Sequence, residues 1–122
     1  MRVAGIGFRK GAPLSSLRAA LMAVEARGGA ACALASLPEK TAEPVLQALA
    51  AERGLPLHAV ALRGIATPTQ SARIKALHGT GSVAEAAALA ASEPGASITV
   101  ARISAPDGMA TCAMAATKDL PE

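Results

Sequence analysis

The sequence predicts an α/β fold with three layers: a mostly parallel sheet of about five strands, covered by helices, with an antiparallel hairpin at the C-terminal end. Short apolar runs alternate with segments of helical spacing up to about residue 92. Beyond that point the apolar residues alternate at period two around a turn. At 122 residues the chain is expected to be a single domain, residues 1–122, with one core.

The N-terminal part of the sequence predicts strands and helices in alternation. Residues 3–7, 30–37 and 57–62 are apolar runs of strand length. Thr41 is placed to cap the helix that follows the second strand, and Gly54 is placed to end it. In the helix between the first two strands, apolar residues recur at helical spacing until a glycine pair stops them: Leu14, Leu17, Leu21 and Val24, then Gly28 and Gly29.

Two more helices are predicted after the third strand. Thr67 caps a short helix that ends at Gly79. Ser82 and Glu85 have the spacing of a capping box, in which each side chain bonds the other residue's backbone amide. The helix that they open is rich in alanine and runs to about residue 92.

The C-terminal segment predicts a hairpin. Residues 97–103 alternate between apolar and polar, as a half-buried strand does. Residues 105–108, with the sequence Ala-Pro-Asp-Gly, form a turn that joins them to the small apolar residues at 109–116.

The composition excludes several classes of protein. Phe8 is the sole aromatic residue, and the twelve Lys and Arg form no basic run, so nucleic acid is not an expected partner. No apolar run approaches the length of a membrane span or of a signal-peptide core, so a membrane is not expected either. Cys32 and Cys112 match no zinc or redox spacing. We therefore expect buried thiols in a cytoplasmic protein, with no metal and no cofactor.

The glycines after the first strand raise the question of phosphate binding. Gly5, Gly7 and Gly11 are spaced GxGxxxG, which differs from the GxGxxG of dinucleotide-binding loops, and no Walker pattern occurs. A strand, a glycine-rich turn and a helix nevertheless suit anion binding by backbone amides. The alternative is that Gly5 and Gly7 let the first helix pack closely on the sheet, and the sequence leaves both interpretations open.

The predicted helix starts indicate where an anion would bind. Helix N-termini carry free N–H groups and a partial positive charge, and in a parallel sheet several of them gather at the carboxyl edge. Arg9, Lys10 and Lys40 lie beside or just before two of these starts. The combination suits a ligand that bears several carboxylates or phosphates. The four predicted starts are near Ala12-Pro13, Thr41, Thr67 and Ser82.

Four stretches of the sequence together carry a family resemblance. They are GIGFRKGA at 5–12, LASLPEKTAEPVLQALAAERGLPL at 34–57, TPTQSARIKALHGTGSVAEAAALAAS at 67–92 and MATCAMA at 109–115. In their order and over almost the whole chain, they resemble the cobalamin-biosynthesis family of CobE and the C-terminal domain of CbiG. The chain departs from the family pattern at Phe8 and Thr69.

The resemblance implies a compact α/β domain of the corrin pathway that leads to vitamin B12. It implies a corrin or precorrin intermediate as the ligand, bound or handed on through its carboxylate side chains. The ligand-binding residues that it implies are Gly5, Gly7, Arg9, Lys10, Gly11, Lys40, Glu43, Thr67, Gly79, Thr80, Gly81, Ser82 and Glu85.

Other functions stay open at this stage, and no catalytic residue is assigned. Full-length CbiG is associated with hydrolysis of cobalt-precorrin-5A, so the resemblance also allows a small enzyme that acts on a lactone or acyl linkage. A third hypothesis is a protein that docks on other enzymes of the pathway, and a homodimer is likewise open. Neither histidine has an acid partner at readable spacing, and no GxSxG elbow occurs among the candidate nucleophiles. Those nucleophiles are Ser36, Ser71, Ser82, Cys32 and Cys112.

Overall fold

The computed structural model describes residues 1–60, 83–92 and 95–117. Its strands form one five-stranded sheet in the order β3-β2-β1-β5-β4. β1, β2 and β3 are parallel, whereas β5 is antiparallel to β1 on one side and to β4 on the other. This is the predicted α/β sheet with its C-terminal hairpin. The elements are β1 (Arg2–Phe8), α1 (Leu14–Gly28), β2 (Ala33–Ser36), α2 (Pro38–Thr41), α3 (Pro44–Arg53), β3 (Leu57–Ala59), α4 (Val83–Ala90), β4 (Ser97–Ser104) and β5 (Ala110–Ala116).

One face of the sheet is covered by α1 and α3, and we call it the leucine face. Its helices contribute long apolar side chains, which pack on Ile6, Leu34 and Met114 of the sheet. These side chains interdigitate and fill the space between the helices and the sheet. The buried residues of α1 have the helical spacing that the sequence predicted. The helix residues are Leu17, Leu21, Val24, Leu46 and Leu49, all fully buried.

The other face of the sheet is covered by α4, and we call it the alanine face. Here Ala86 and Ala87 pack on Val3, Ala33 and Ala35. Such short side chains bring the helix backbone close to the sheet.

The closest approach on the alanine face is at Gly5. A Cβ added there would lie 1.9 Å from the Ala84 carbonyl oxygen and 2.6 Å from the Ala88 nitrogen. Gly5 therefore serves helix packing, one of the two roles that the sequence left open. The expected partner was wrong, however, because α4 and not the first helix lies over this glycine.

The predicted start of the second helix is also corrected. Thr41 does not cap it, because Pro38 begins a separate short helix, α2, in which the Thr41 hydroxyl donates to the Pro38 carbonyl oxygen at 2.9 Å. Glu43 holds the N-cap position of α3, and Pro44 occupies its first turn. Proline at the first helical position fits because its fixed φ matches the helix and no N–H is lost from the ladder. Gly54 ends α3 in the left-handed conformation, as predicted.

The later predictions fall partly outside the described residues. β3 is observed over Leu57–Ala59, and residues 61–62 of the predicted strand lie beyond the described part. The helix predicted from Thr67 to Gly79 and the capping residue Ser82 lie there too. Among the described helices, none has the length and apolar character that crossing a membrane requires.

The hairpin of β4 and β5 is observed as predicted, with an irregularity. The Ala105 amide donates to the Ala110 carbonyl oxygen at 2.8 Å, which closes the turn. The register between β4 and β5 shifts between Ile98 and Val100 and again between Val100 and Ile103. Each shift marks a β-bulge, in which one strand carries an extra residue.

Candidate functional site

A cleft of about 860 Å³ opens where β1, β2 and β4 end and β5 begins. The carboxyl ends of two of the parallel strands, β1 and β2, thus meet at it, and this is the edge where ligands bind in open α/β sheets. Its described lining residues are Gly7, Phe8, Arg9, Lys10, Leu37, Glu39, Lys40, Val83, Arg102, Ser104, Gly108, Met109, Ala110 and Thr111.

The cleft collects positive charge. Four of its described lining residues are cationic, against one carboxylate, that of Glu39. Within the ranges that the structure describes, none of the four cationic side chains pairs with a carboxylate. Their charges are therefore available to an anionic ligand. The four residues are Arg9, Lys10, Lys40 and Arg102.

Contacts at the end of β1 and in the loop that follows it hold two of these cationic residues in place. The Lys40 ammonium lies 4.6 Å from the centroid of the Phe8 ring, a distance typical of a cation–π interaction. The Arg9 backbone amide donates to the Met109 carbonyl oxygen at 2.9 Å, which joins this loop to the start of β5. Phe8 thus helps to hold Lys40 at the cleft that Arg9 and Lys10 also line.

Only some of the site residues predicted from the sequence line the cleft. Gly7, Arg9, Lys10 and Lys40 line the cleft, as a shared ligand site requires. Of the remaining candidates, five lie outside the described residues: Thr67, Gly79, Thr80, Gly81 and Ser82.

Four predicted site residues lie away from the cleft lining. Gly5 is buried beneath α4. Gly11 has a φ of +83° in a turn where the Ala12 amide donates to the Arg9 carbonyl oxygen. Glu43 is exposed at the start of α3.

Glu85 is the fourth of these residues and has a distinct environment. It is fully buried in α4, among alanines. Its Oε2 atom accepts a hydrogen bond of 2.9 Å from the backbone amide of Arg102 on β4. The Glu85 carboxylate therefore links α4 to the backbone of β4 at Arg102.

The sequence predicted that several helix N-termini gather at the carboxyl edge of the sheet, and the structure shows two helix starts at the cleft in its described part. Val83, the first residue of α4, and Leu37, the N-cap of α2, line the cleft. The start of α1 is not among the lining residues, and the start predicted at Thr67 lies outside the described part of the chain.

Three candidate nucleophiles lie in the described part of the chain: Ser36, Cys112 and Cys32. Ser36 is fully buried and its hydroxyl donates to the Ile6 carbonyl oxygen at 2.6 Å. Burial raises the pKa of the Cys112 thiol, so this group stays protonated. Cys32 is exposed, which corrects the expectation that both thiols are buried. Its position in the turn before β2 leaves it outside the sheet interior.

Sequence reasoning missed Arg102 as a site residue. The sequence of β4 marks the bulge between Val100 and Ile103 by the three-residue spacing of these two residues, although Ile98 and Val100 keep a spacing of two across the other register shift. A change of period within a strand indicates a bulge, and bulges re-aim side chains near binding sites. The partner that holds Arg102, Glu85, lies far away in sequence, and only the fold brings the two together.

Comparison with known proteins agrees with this architecture. The sequence profile of the family described as cobalamin synthesis G C-terminus matches residues 2–115. The crystal structure of CobE, a protein from the cobalamin (vitamin B12) biosynthetic pathway, is 34% identical with a TM-score of 0.78, covering 94% of this chain and 89% of that chain. The crystal structure of cobalamin biosynthesis protein chiG from Agrobacterium tumefaciens is 38% identical with a TM-score of 0.76, covering 98% of this chain and 100% of that chain.

No curated protein sequence matches the chain. The profile match and both structures nevertheless agree on one family, and each covers most of the chain. The chain therefore belongs to the cobalamin synthesis G C-terminal family and is a protein of cobalamin biosynthesis.

Proposed function

We propose that this protein binds an intermediate of the corrin pathway in the cationic cleft and carries it between enzymes. The observation that supports the proposal is that Arg9, Lys10 and Lys40 line one cleft and that their side chains pair with no carboxylate of the described residues. Elsewhere in the described part, arginines do pair with carboxylates, as Arg18 does with Glu52 at 2.8 Å.

The chemistry of the ligand matches the two kinds of surface in the cleft. Corrin precursors carry acetate and propionate groups around a flat apolar macrocycle. Carboxylates form short charge-assisted hydrogen bonds with guanidinium and ammonium groups. Leu37, Val83, Met109 and Ala110 offer apolar surface to the ring in the same cleft. Its volume of about 860 Å³ lies within the range of small-molecule sites.

A carrier fits the described part of the cleft better than a hydrolase does. Ser36 and Cys112 are buried, with the serine hydroxyl bonded to a backbone carbonyl. Thr111 lines the cleft, but its hydroxyl donates to the Gly7 carbonyl oxygen at 3.4 Å. Formation of a new product from a precorrin would favour the enzyme hypothesis over the carrier.

A titration followed by visible absorbance tests this proposal. Hydrogenobyrinic acid is titrated into the purified protein, and we expect a saturable spectral shift without a new product. A variant with Arg9, Lys10 and Lys40 all changed to Gln should bind at least tenfold more weakly, because each charge-assisted hydrogen bond contributes about 1.5–3 kcal/mol. The same macrocycle with its carboxylates methylated should lose affinity for the native protein as well.

The control variant removes the same number of positive charges elsewhere. Arg2, Arg18 and Arg27 lie outside the cleft lining, so changing all three to Gln should leave the affinity close to that of the native protein. Absence of a spectral shift with the native protein, or equal affinity of the cleft variant and the native protein, contradicts the proposal.

A further inference from the structure

We infer that Arg102 binds a carboxylate of the ligand from the side of the cleft remote from Lys40, and that the buried carboxylate of Glu85 positions it. This inference rests on the proposed function and deepens it. Arg102 belongs to β4, whereas Lys40 follows β2, and β1 and β5 lie between these two strands in the sheet.

The register of the hairpin shows why Arg102 needs to be positioned. Val100 pairs with Met114, and Ile103 pairs with Cys112, so three steps along β4 match two steps along β5. One extra residue therefore lies in β4 between Val100 and Ile103. Both of these residues pack on the leucine face, although a regular strand would place residues three apart on opposite faces.

The bulge determines whether the Arg102 side chain lies in the apolar layer or at the cleft. Without the extra residue, Arg102 would share the face of Val100 and would project into the apolar layer beneath α1. With the bulge, Ile103 takes that place, and Arg102 is exposed and lines the cleft. The chain thus buries an isoleucine and keeps the guanidinium at the cleft.

Glu85 stabilises this irregular backbone. A bulge disrupts the ladder locally and leaves an amide without a strand partner. The Arg102 amide instead donates to Glu85 Oε2 at 2.9 Å. Glu85 is fully buried in a helix whose neighbouring residues are alanines, and burying a carboxylate is costly. From this helix, Glu85 supplies the bulged Arg102 amide with an acceptor.

Cations on both sides of the cleft define the class of ligand. A single small anion can contact one side, but a ligand with carboxylates at separate edges of a flat ring can contact both Lys40 and Arg102. The planar guanidinium of Arg102 also suits bidentate binding of one carboxylate. We therefore expect Arg102 to select polycarboxylate macrocycles over small dicarboxylates.

The experiment is a set of titrations with hydrogenobyrinic acid, starting with the native protein. Arg102→Gln should weaken binding about tenfold or more, because the charge-assisted contact with one carboxylate is lost. Glu85→Ala should cause a similar loss, whereas Glu85→Gln should recover most of the affinity because its amide oxygen still accepts the Arg102 N–H. The double variant Glu85→Ala with Arg102→Gln should bind no more weakly than Arg102→Gln alone. Succinate, as a competitor, should displace the macrocycle from no variant.

Two further changes keep the test decisive. Arg27→Gln is the matched control, because Arg27 shares a neighbouring groove with Arg102 but does not line the cleft. If Glu85→Ala fails to fold, Glu85→Asp replaces it in the cycle, since the shorter side chain withdraws the acceptor and keeps the charge. Exchange of the Arg102 amide proton, followed by NMR, should become faster in whichever of these variants loses the hydrogen bond.

The outcomes separate the inference from the proposed function. If the native protein does not bind the macrocycle, the proposed function fails. If the native protein binds and Arg102→Gln binds equally well, only the inference about Arg102 fails. An additive loss in the double variant shows that Glu85 acts by another route than Arg102, and the positioning role is then wrong.

Discussion

The two faces of the sheet are packed in different ways. On the leucine face, long side chains from α1 and α3 fill the space above Ile6 and Leu34. On the alanine face, α4 lies so close to β1 that only glycine fits at position 5. The difference shows that one sheet can be stabilised by interdigitated side chains on one side and by close backbone contact on the other.

The close contact on the alanine face has a consequence for the cleft. A Cβ added at Gly7 would lie 3.7 Å from Val83 Cβ, so the first turn of α4 borders the end of β1. The same proximity lets Glu85 reach the Arg102 amide on β4. The close packing of α4 thus places Val83 and Arg102 at the cleft. The leucine face packs the opposite side of the sheet.

The largest expected effect comes from adding one methyl group to the alanine face. Gly5→Ala should destabilise the protein by about 3 kcal/mol or more, because the new Cβ meets backbone atoms of α4 that cannot rotate away. Urea unfolding followed by circular dichroism measures the change in the free energy of unfolding.

Gly7→Ala is the control for this experiment. Its Cβ would meet the Thr111 side-chain oxygen at 3.1 Å, and a side chain can move, so the cost should stay below about 1 kcal/mol. Equal costs for the two variants would show that α4 is free to shift outward and that the alanine face is not closely packed.

On the leucine face, shortening a buried side chain should lower the stability. Leu21→Ala should lower the free energy of unfolding by about 2–3 kcal/mol, since it leaves a cavity among buried side chains. The cost is expected to be smaller than that of Gly5→Ala because flexible leucines partly close the space. Met22→Ala, at a position that is 58% exposed, should change the stability by less than about 0.5 kcal/mol. A loss at Leu21 no larger than at Met22 would contradict the assignment of this face as the main core.

The smallest expected effect concerns the polar contact that fastens the hairpin turn to α1. The Ser16 hydroxyl and the Met109 amide donate to the Asp107 carboxylate, and these bonds hold the pKa of Asp107 below its ordinary value of 3.8. A lowered pKa in the folded state adds stability above the ordinary pKa, and this stability is lost as the pH falls through the folded-state value.

Ser16→Ala should therefore lower the melting temperature above about pH 5, and the gap to the native protein should narrow as the pH falls below 4. Thermal unfolding at a series of pH values from 7 to 2 measures this gap. Ser15→Ala, at an exposed position of the same helix turn, should show no such pH dependence. A gap that stays constant over the series would mean that Ser16 contributes by packing alone.

Local patterns in the sequence were sufficient for much of the fold. The spacing of Leu17, Leu21 and Val24 predicted α1 because a helix buries one face at that period. Gly54 and the Asp107-Gly108 turn marked ends of elements because their backbone conformations favour these residues. Thr41 misled because a preceding proline started another helical turn, which propensity at one position does not reveal.

The candidate site was predictable where it is local in sequence. Arg9 and Lys10 follow β1 directly, so their place at the carboxyl edge could be expected, and Lys40 lies only four residues after the end of β2. Arg102 and Glu85 could not be assigned in this way. Their contact depends on the register of β4 against β5 and on the height of α4 above the sheet.

The sequence by itself determined the five strands, the helices α1, α3 and α4, the family and the cations that follow the first two strands, because these depend on neighbouring residues and their periodicity. Only the tertiary structure decided that Gly5 serves the packing of α4, that the buried Glu85 bonds the Arg102 amide and that Arg102 lines the cleft. The physical reason is that packing distance and strand register arise between segments far apart in the chain, where side-chain volumes and unpaired amides must be satisfied together.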